Sequence, residues 1–259
     1  MDISPGARAY IIKERSFLEI VLIAAAVLPA AWLLIRVYRA DRLEKEPIFL
    51  LLSLLVLGVF ATALAGITEN YGEAALSALL PSQGLLYKLI LYFIVVALPE
   101  EGFKYLLLKV RTWNNQNFNC SFDGVVYSVF VSLGFAIWEN IAYVLYYGMG
   151  TAIARAVTAV PGHACFGVFM GVWYGVAKRY EMAGYPGEAA RSRRSGLITA
   201  VLLHGVYDFI ASMENDLMSI IFLVFVSWMF GRALKLVKQA SAEDSPFRAN
   251  QYNYNIDNI

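Results

Sequence analysis

The chain has 259 residues, of which 59% are hydrophobic and 16% are charged, and its formal net charge is +1. Soluble domains are about 45–50% apolar, so this composition indicates an integral membrane protein and excludes an ordinary soluble domain. The near-neutral charge gives no indication of a nucleic-acid partner. The two cysteines, Cys120 and Cys165, lack C-x-x-C spacing, so neither a disulfide framework nor a thiolate metal site is indicated.

Seven apolar segments predict an all-α, polytopic bundle of about seven transmembrane helices, because each approaches the roughly 20 residues that cross a hydrocarbon core. In chain order they are 17–35, 48–67, 85–110, 122–147, 152–177, 195–211 and 217–237. The first is interpreted as a retained helix, since its apolar stretch exceeds the about 7–15 residues of a secretory signal. Residues 1–240 are expected to form one transmembrane domain, and the polar residues 241–259 a disordered tail.

The distribution of basic residues predicts the orientation. They concentrate in the first, third and fifth connections and after the seventh segment, which places these regions and the C-terminus in the cytoplasm by the positive-inside rule. Arg8, Lys13 and Arg15 oppose this orientation for the first helix. The basic residues that favour it are Arg36, Arg39, Arg42, Lys45, Lys109, Arg111, Lys178, Arg179, Arg191, Arg193, Arg194, Arg232, Lys235, Lys238 and Arg248.

One pattern of small residues bears on assembly. Gly167, Gly171 and Gly175 recur every fourth residue on the fifth segment, which gives one helical face that allows close backbone approach. A packing seam inside one bundle is favoured over a homodimer face, and the oligomeric state stays open.

Ionisable side chains lie inside four of the apolar segments, where one charge at the bilayer centre costs on the order of 3 kcal/mol. At about 1.5 Å per helical residue, Glu139, His163 and His204 are expected at similar depths, so one polar cavity can hold the whole set. The polar residues assigned to this set, from the third to sixth segments, are Glu100, Glu101, Lys104, Glu139, Asn140, His163, His204 and Asp208.

Spacing within each helix supports convergence of these side chains. Glu100 and Lys104 are four residues apart, as are His204 and Asp208, so each pair projects from one helical face. Lys104 is interpreted as the countercharge of the paired glutamates. Asp208 is expected to orient His204 or to compensate its charge, and Asn140 to form an interhelical hydrogen bond.

Two chemistries require such a cavity, and a polar network that only holds the bundle together is the structural alternative. Peptide hydrolysis needs a buried glutamate as base, with histidines that bind a divalent metal or donate hydrogen bonds. The chain has no H-E-x-x-H motif, so a metal would be bound from separate helices, by His163, His204 and either Glu139 or Asp208. Proton-coupled transport could use the same carboxylates and imidazoles as a relay.

Four ordered motifs resemble those of the PrsW family of intramembrane proteases. The string at 100–104 is similar to its E-E-x-x-K motif, and residues 123–124 and 134–140 to its D-G…G-F-A-x-x-E-N segment. The string at 161–164 resembles P-x-x-H-A with one residue fewer between proline and histidine, and 204–208 resembles H-x-x-x-D. The loop at 38–47 is similar to the family's basic first loop.

This resemblance implies an endopeptidase of the bacterial inner membrane that cuts membrane-anchored substrates, which are single-pass proteins such as anti-sigma factors. The family is related to CAAX prenyl proteases and bacteriocin-processing proteins, which use E-E-x-x-x-R, F-x-x-x-H and H-x-x-x-N. Lys104, Glu139 and Asp208 depart from those patterns. The departures favour PrsW and leave a CAAX-type protease as an alternative.

The resemblance also suggests roles for the site residues. Glu101 or Glu100 is expected to activate the hydrolytic water, with Glu139 and His163 polarising it or sharing a metal. His204, oriented by Asp208, would assist the metal or stabilise the oxyanion. Zinc is the divalent metal expected, and a metal-free, glutamate-dependent mechanism is the alternative.

Overall fold

A computed structural model describes residues 5–82, 84–213 and 215–247, with side chains from Phe17 onward. This part of the chain is almost entirely helical and forms no strand apart from one isolated bridge between Cys120 and Pro246. The elements are α1 (Pro5–Ala40), α2 (Ile48–Leu79), α3 (Leu85–Ile90), a π-helical segment (Leu91–Ala97), α4 (Leu98–Thr112), α5 (Asp123–Tyr147), α6 (Met149–Val157), α7 (Ala159–Met182), α8 (Pro186–Ala211) and α9 (Asp216–Ala242).

The predicted all-α membrane bundle is confirmed. Within the described residues, five helical segments are long and apolar enough to span a membrane, namely Phe17–Ala40, Ile48–Leu79, Asp123–Tyr147, Met149–Met182 and Asp216–Ala242. The other two predicted segments are also helical, in α3 to α4 and in α8. Both carry several charged residues, which lowers their hydropathy and explains why length and composition alone do not identify them as spans.

The central helix of the bundle is α5, which packs against α1, α2 and α7. In its most apolar window 72% of the residues are buried, against 17% for α9, so α9 presents apolar side chains outward as a lipid-facing helix does. Close packing onto α5 depends on glycine. A Cβ atom added at Gly58 of α2 would lie 2.2 Å from the carbonyl oxygen of Val131, and one at Gly134 of α5 equally close to that of Leu55.

The glycine stripe of α7 also faces α5. A Cβ atom at Gly171 would lie 2.6 Å from the carbonyl oxygen of Gly124, and one at Gly175 would lie 2.1 Å from that of Ser121. Real Cβ atoms do not approach backbone oxygens so closely. The stripe therefore forms a seam inside the bundle, as expected from the sequence.

Several helix boundaries differ from those of the predicted segments. α2 continues to Leu79, twelve residues past the predicted end at 67, and α8 begins at Pro186 instead of 195. The predicted segment 152–177 is divided between α6 and α7, because Thr158 leaves the helical region with φ −123° and ψ −70°. α2 and α8 are longer than predicted because each helix continues through polar residues, whereas the break between α6 and α7 interrupts an apolar run.

A π-helical segment precedes the paired glutamates. It spans Leu91–Ala97 and leads into α4, where Pro99 lies in the first turn and Glu100 and Glu101 follow it. Proline cannot donate a backbone hydrogen bond and its ring crowds the carbonyl four residues earlier, so a wider turn before it relieves the conflict. This irregularity sets the direction in which both carboxylates project.

The chain end beyond α9 folds back on the loop before α5. The backbone N–H of Phe247 donates to the carbonyl oxygen of Asn119 at 2.8 Å. In the last turn of α9 itself, the hydroxyl of Ser241 donates to the carbonyl of Ala40 at the end of α1. Of the tail predicted at 241–259, residues 248–259 lie outside the described part of the chain.

Candidate active site

A polar cavity of about 310 Å³ lies between α2, the π-helical segment, α4, α5, α6, α7 and α8. Its wall combines carboxylates, imidazoles and a guanidinium group within an otherwise apolar bundle. The charged and imidazole side chains that line it are Glu69, Glu100, Glu139, Arg155, His163, His204 and Asp208.

Lys104 holds the centre of the polar cluster behind this wall. Its ammonium group donates to Glu100 Oε2 at 3.1 Å, to Glu101 Oε1 at 2.8 Å and to His163 Nδ1 at 3.2 Å. It also lies 3.7 Å from the centre of the Phe135 ring. The side chain is 1% exposed, so this ammonium compensates two buried carboxylates where water cannot.

His163 is neutral in this arrangement. An ammonium group can only donate, so His163 Nδ1 accepts from Lys104 and the proton lies on Nε2. Nε2 then donates to Glu139 Oε2 at 2.9 Å. The tautomer is thus determined by the two partners, and the imidazole transmits the position of Lys104 to Glu139.

His204 is bound by carboxylates on both sides of its ring. Nδ1 lies 3.0 Å from Glu101 Oε1, and Nε2 lies 3.2 Å from Asp208 Oδ2. Donation to two carboxylates requires a proton on each nitrogen, which makes this imidazole a cation. The ring of Phe166 stacks on it with centres 4.7 Å apart and so fixes its plane.

The two neighbouring glutamates occupy different surroundings. Glu100 lines the cavity, whereas Glu101 is 0% exposed and lies behind the wall, between Lys104 and His204. One oxygen of Glu101, Oε2, is buried without a hydrogen-bond partner among the described residues. Of the pair, Glu100 is therefore the carboxylate that a molecule in the cavity can reach.

Glu139 is held by two residues besides its own helix. Its Oε2 pairs with Arg155 Nη2 at 2.8 Å and accepts from His163. Arg155 Nε donates to Asn140 Oδ1 at 2.9 Å, and Asn140 Nδ2 donates to the carbonyl oxygen of Ala26 at 2.9 Å. The expected interhelical role of Asn140 is thus seen as a bridge from α5 to α1 and α6.

The structure brings the predicted polar residues of the third to sixth segments together in this one region, and it adds two residues that sequence reasoning missed. Arg155 is a charged residue inside the predicted apolar segment 152–177, and a charge inside an apolar segment is also the signal that identified Glu100. Glu69 lies two residues beyond the predicted end of the second segment, and its Oε1 is buried without a partner among the described residues. The continuation of α2 to Leu79 is what brings it to the cavity.

The donor set is chemically suited to a divalent metal. Glu100, Glu101, His163 and His204 each offer one ligand atom, and these atoms lie within 4.8 Å of one another. Two imidazoles and two carboxylates are zinc ligands in proteins. Lys104, however, contacts three of these four residues, so a metal and the ammonium group compete for the same atoms. Of the ligands predicted from sequence, Glu139 and Asp208 lie on the outer nitrogens of the two histidines.

Fold and site together define a class, that of polytopic membrane proteins with a carboxylate, imidazole and ammonium cluster around a cavity between their helices. The chain belongs to the PrsW family, since the family model described as PrsW family intramembrane metalloprotease matches residues 46–231. This finding confirms the resemblance of the four motifs.

Curated relatives agree with the family assignment. The chain is 33% identical to Protease PrsW of Geobacillus kaustophilus over 239 residues, which cover 87% of this chain and 94% of the relative. It is 32% identical to Protease PrsW of Bacillus subtilis, over 85% of this chain and 95% of the relative. The chain is 30% identical to Protease PrsW of Clostridioides difficile, over 79% of this chain and 85% of the relative. No solved structure matches the chain.

Proposed function

We propose that the protein is an intramembrane endopeptidase in which Glu100 activates a water molecule for attack on a peptide carbonyl. The observation that carries this assignment is the different placement of the paired glutamates, with Glu100 in the cavity wall and Glu101 behind it. A general base must come within hydrogen-bond reach of the proton it removes, and only a carboxylate that borders the cavity meets that requirement.

Each step of the hydrolysis has a residue positioned for it. Glu100 accepts a proton from water while the water oxygen forms a bond to the carbonyl carbon. The cationic imidazole of His204 lies in the cavity wall and lowers the energy of the developing oxyanion. Glu100 then returns the proton to the amide nitrogen as the carbon–nitrogen bond breaks, which regenerates the carboxylate.

The remaining residues act as positioning groups in this proposal. Lys104 and Glu101 fix Glu100 and His204 relative to each other, because Lys104 donates to both carboxylates and Glu101 accepts from both Lys104 and His204. Asp208 keeps His204 charged and oriented. Glu139 and Arg155 also line the cavity and are suited to bind polar backbone groups of the substrate.

A divalent metal, with zinc as the first candidate, fits the donor set if the Lys104 ammonium moves away from Glu100, Glu101 and His163. Glu100, Glu101, His163 and His204 would hold the ion. When bound, it would supply Lewis-acid polarisation of the carbonyl and lower the pKa of its water. Proton transfer by Glu100 and stabilisation of the oxyanion by His204 are steps that the chain's own residues perform.

The substrate we propose is a single-pass membrane protein, with an anti-sigma factor as the first candidate. The cavity lies among membrane-spanning helices, so a substrate segment would approach it through the bilayer. We further propose that the protein lies in a bacterial cell membrane with its C-terminus in the cytoplasm, on the basis of the basic connections.

Cleavage of tagged single-pass proteins by the purified protein in detergent tests this function. Wild type is expected to cut at least one of them, and Glu100→Gln is expected to abolish cutting while Glu73→Gln, an exposed glutamate on α2, retains it. Loss of activity with a chelator, restored by zinc, would assign the metal mechanism. Activity that resists chelation would assign the glutamate-activated water, and equal cutting by wild type and Glu100→Gln would refute the role of Glu100.

A further inference from the structure

A second cluster of buried carboxylates lies at the opposite end of α5. Asp41 follows α1, Glu46 precedes α2, and Asp123 is the first residue of α5. One carboxylate oxygen from each lies within 4.8 Å of the others, and the three residues are 1%, 2% and 0% exposed. Glu139 is sixteen residues further along the same helix, about 24 Å away, so this cluster is separate from the active-site cavity.

Only part of the hydrogen-bonding capacity of these carboxylates is used. The hydroxyl of Tyr127 donates to Glu46 Oε2, and the backbone N–H groups of Asn119 and Cys120 donate to Asp123 Oδ2 at 3.0 and 2.7 Å. The remaining oxygens, Glu46 Oε1 and Asp123 Oδ1, are buried and have no partner within the described part of the chain, and the same is true of Asp41 Oδ2.

Little positive charge offsets this cluster, since Lys45 acts on Asp41 alone and Arg179 acts on Asp244. None of the three carboxylates forms an ion pair among the residues that the structure describes. The Lys45 ammonium donates to the backbone carbonyls of Tyr38 and Asp41 and lies over the Tyr38 ring. Asp244 adds further negative charge from the end of α9.

Buried carboxylates without a countercharge are energetically costly, because the charged form loses hydration and gains no partner. The cost disappears when a cation with oxygen preference binds between them. Ca²⁺ binds carboxylate oxygens at about 2.3–2.6 Å and Mg²⁺ at about 2.1 Å, so oxygens less than about 5 Å apart can share one ion. One carboxylate oxygen from each of Asp41, Glu46 and Asp123 meets this distance condition.

We propose that Asp41, Glu46 and Asp123 bind a divalent cation of the Ca²⁺ or Mg²⁺ type. The ion joins the end of α1, the first connection and the start of α5, and thereby stabilises one end of the bundle. Asp244 is placed to complete the coordination, since its Oδ1 accepts from the backbone N–H of Phe122 at 2.9 Å and its Oδ2 is buried without a described partner.

Thermal unfolding of the purified full chain in detergent tests the proposal. After removal of metals with a chelator and dialysis, Ca²⁺ or Mg²⁺ is added at constant ionic strength. Wild type is expected to gain about 5 °C in Tm at saturation, with a dependence on the logarithm of cation concentration. Glu46→Gln and Asp123→Asn are each expected to lose this gain, and Glu44→Gln, an exposed neighbour in the same loop, is expected to keep it.

A double variant separates this site from the active site. His163→Ala with His204→Ala removes both imidazole donors of the catalytic cluster and is expected to retain the full response to Ca²⁺ or Mg²⁺. Loss of the response in this variant would place the cation at the catalytic cluster and overturn the proposal.

A direct binding measurement covers the case in which a variant fails to fold. Tb³⁺ replaces Ca²⁺ at oxygen sites, and Tyr127, bonded to Glu46, is placed to sensitise its luminescence. Wild type is expected to show emission that excess Ca²⁺ displaces. Absence of both emission and stabilisation in wild type would mean that Glu46 and Asp123 share a proton, and no cation site would exist.

Discussion

The two buried acidic clusters on α5 differ in how their charge is compensated. At the candidate active site, Glu100 and Glu101 contact Lys104, and Glu139 contacts Arg155. At the other end, Asp41, Glu46 and Asp123 have no such cation among the described residues. The carboxylates of the first cluster are therefore held by ion pairs with the protein's own cations, while the second cluster has the composition of an ion-binding site.

This difference has a consequence for chemistry. A carboxylate fixed by the protein's own cations keeps its geometry while a water molecule and a substrate exchange in the adjoining cavity. A cluster of carboxylates alone depends on an ion or on protons for its stability. Burial raises the pKa of Asp41 to about 6 and that of Glu46 to about 7, which expresses the cost of their ionised forms.

The largest expected effect is on cleavage in Glu100→Gln. The amide cannot accept a proton from water, so activity is expected to fall by about 10²–10⁴-fold, the usual contribution of a general base. The unfolding temperature should change little, because the amide still fits the same space. Initial rates on a tagged single-pass substrate measure the effect, and a loss below tenfold would assign the base elsewhere.

Lys104→Met breaks the charge compensation of the active-site cluster. Removal of one partner of a buried ion pair costs about 3–5 kcal/mol, since the carboxylates of Glu100 and Glu101 are left unpaired. Thermal unfolding in detergent measures this loss. Lys109→Met on the same helix is the control, and it should be close to wild type. Equal stability of both variants would contradict the role assigned to Lys104.

The packing seam between α5 and α7 gives an effect of intermediate size. Gly175→Ala places a methyl group against the carbonyl of Ser121 and is expected to cost about 1–3 kcal/mol through strain. Gly231→Ala on α9 has open space around the added methyl group and should be neutral or slightly stabilising. A destabilisation of the second variant as large as the first would show that helical glycine itself, and not the seam, matters.

Much of the polar cluster at the candidate active site was predictable because buried charge is conspicuous in an apolar sequence. Glu100, Glu101 and Lys104 interrupt a hydrophobic segment, and both histidines of the chain lie inside such segments. Their convergence followed from depth along the helices. The bounds of α5 were also predicted to within one residue, since Asp123 and Gly148 limit a continuous apolar run.

The remaining features depend on tertiary structure. Glu69 was missed because hydropathy falls after Ile67, although α2 continues to Leu79. Hydropathy also gives no information on which neighbouring helices this polar end of α2 packs against. The acidic cluster was missed for a different reason. Asp41 and Asp123 are 82 residues apart, and each resembles an ordinary polar residue at the end of an apolar segment, although both are buried in the folded bundle.

The smallest effect is expected for Arg155→Lys, which tests how strictly the geometry of Arg155 and Glu139 in the cavity wall must be kept. Arg155 binds Glu139 and Asn140 at once through different nitrogens, and a lysine ammonium cannot reproduce that planar arrangement. Loss of one hydrogen bond to a charged group corresponds to a decrease of roughly tenfold in kcat/KM. Because Glu100 and His204 keep their contacts, the change should appear mainly in KM if Glu139 and Arg155 bind substrate. A change in kcat alone would move these two residues from substrate binding into the chemical step.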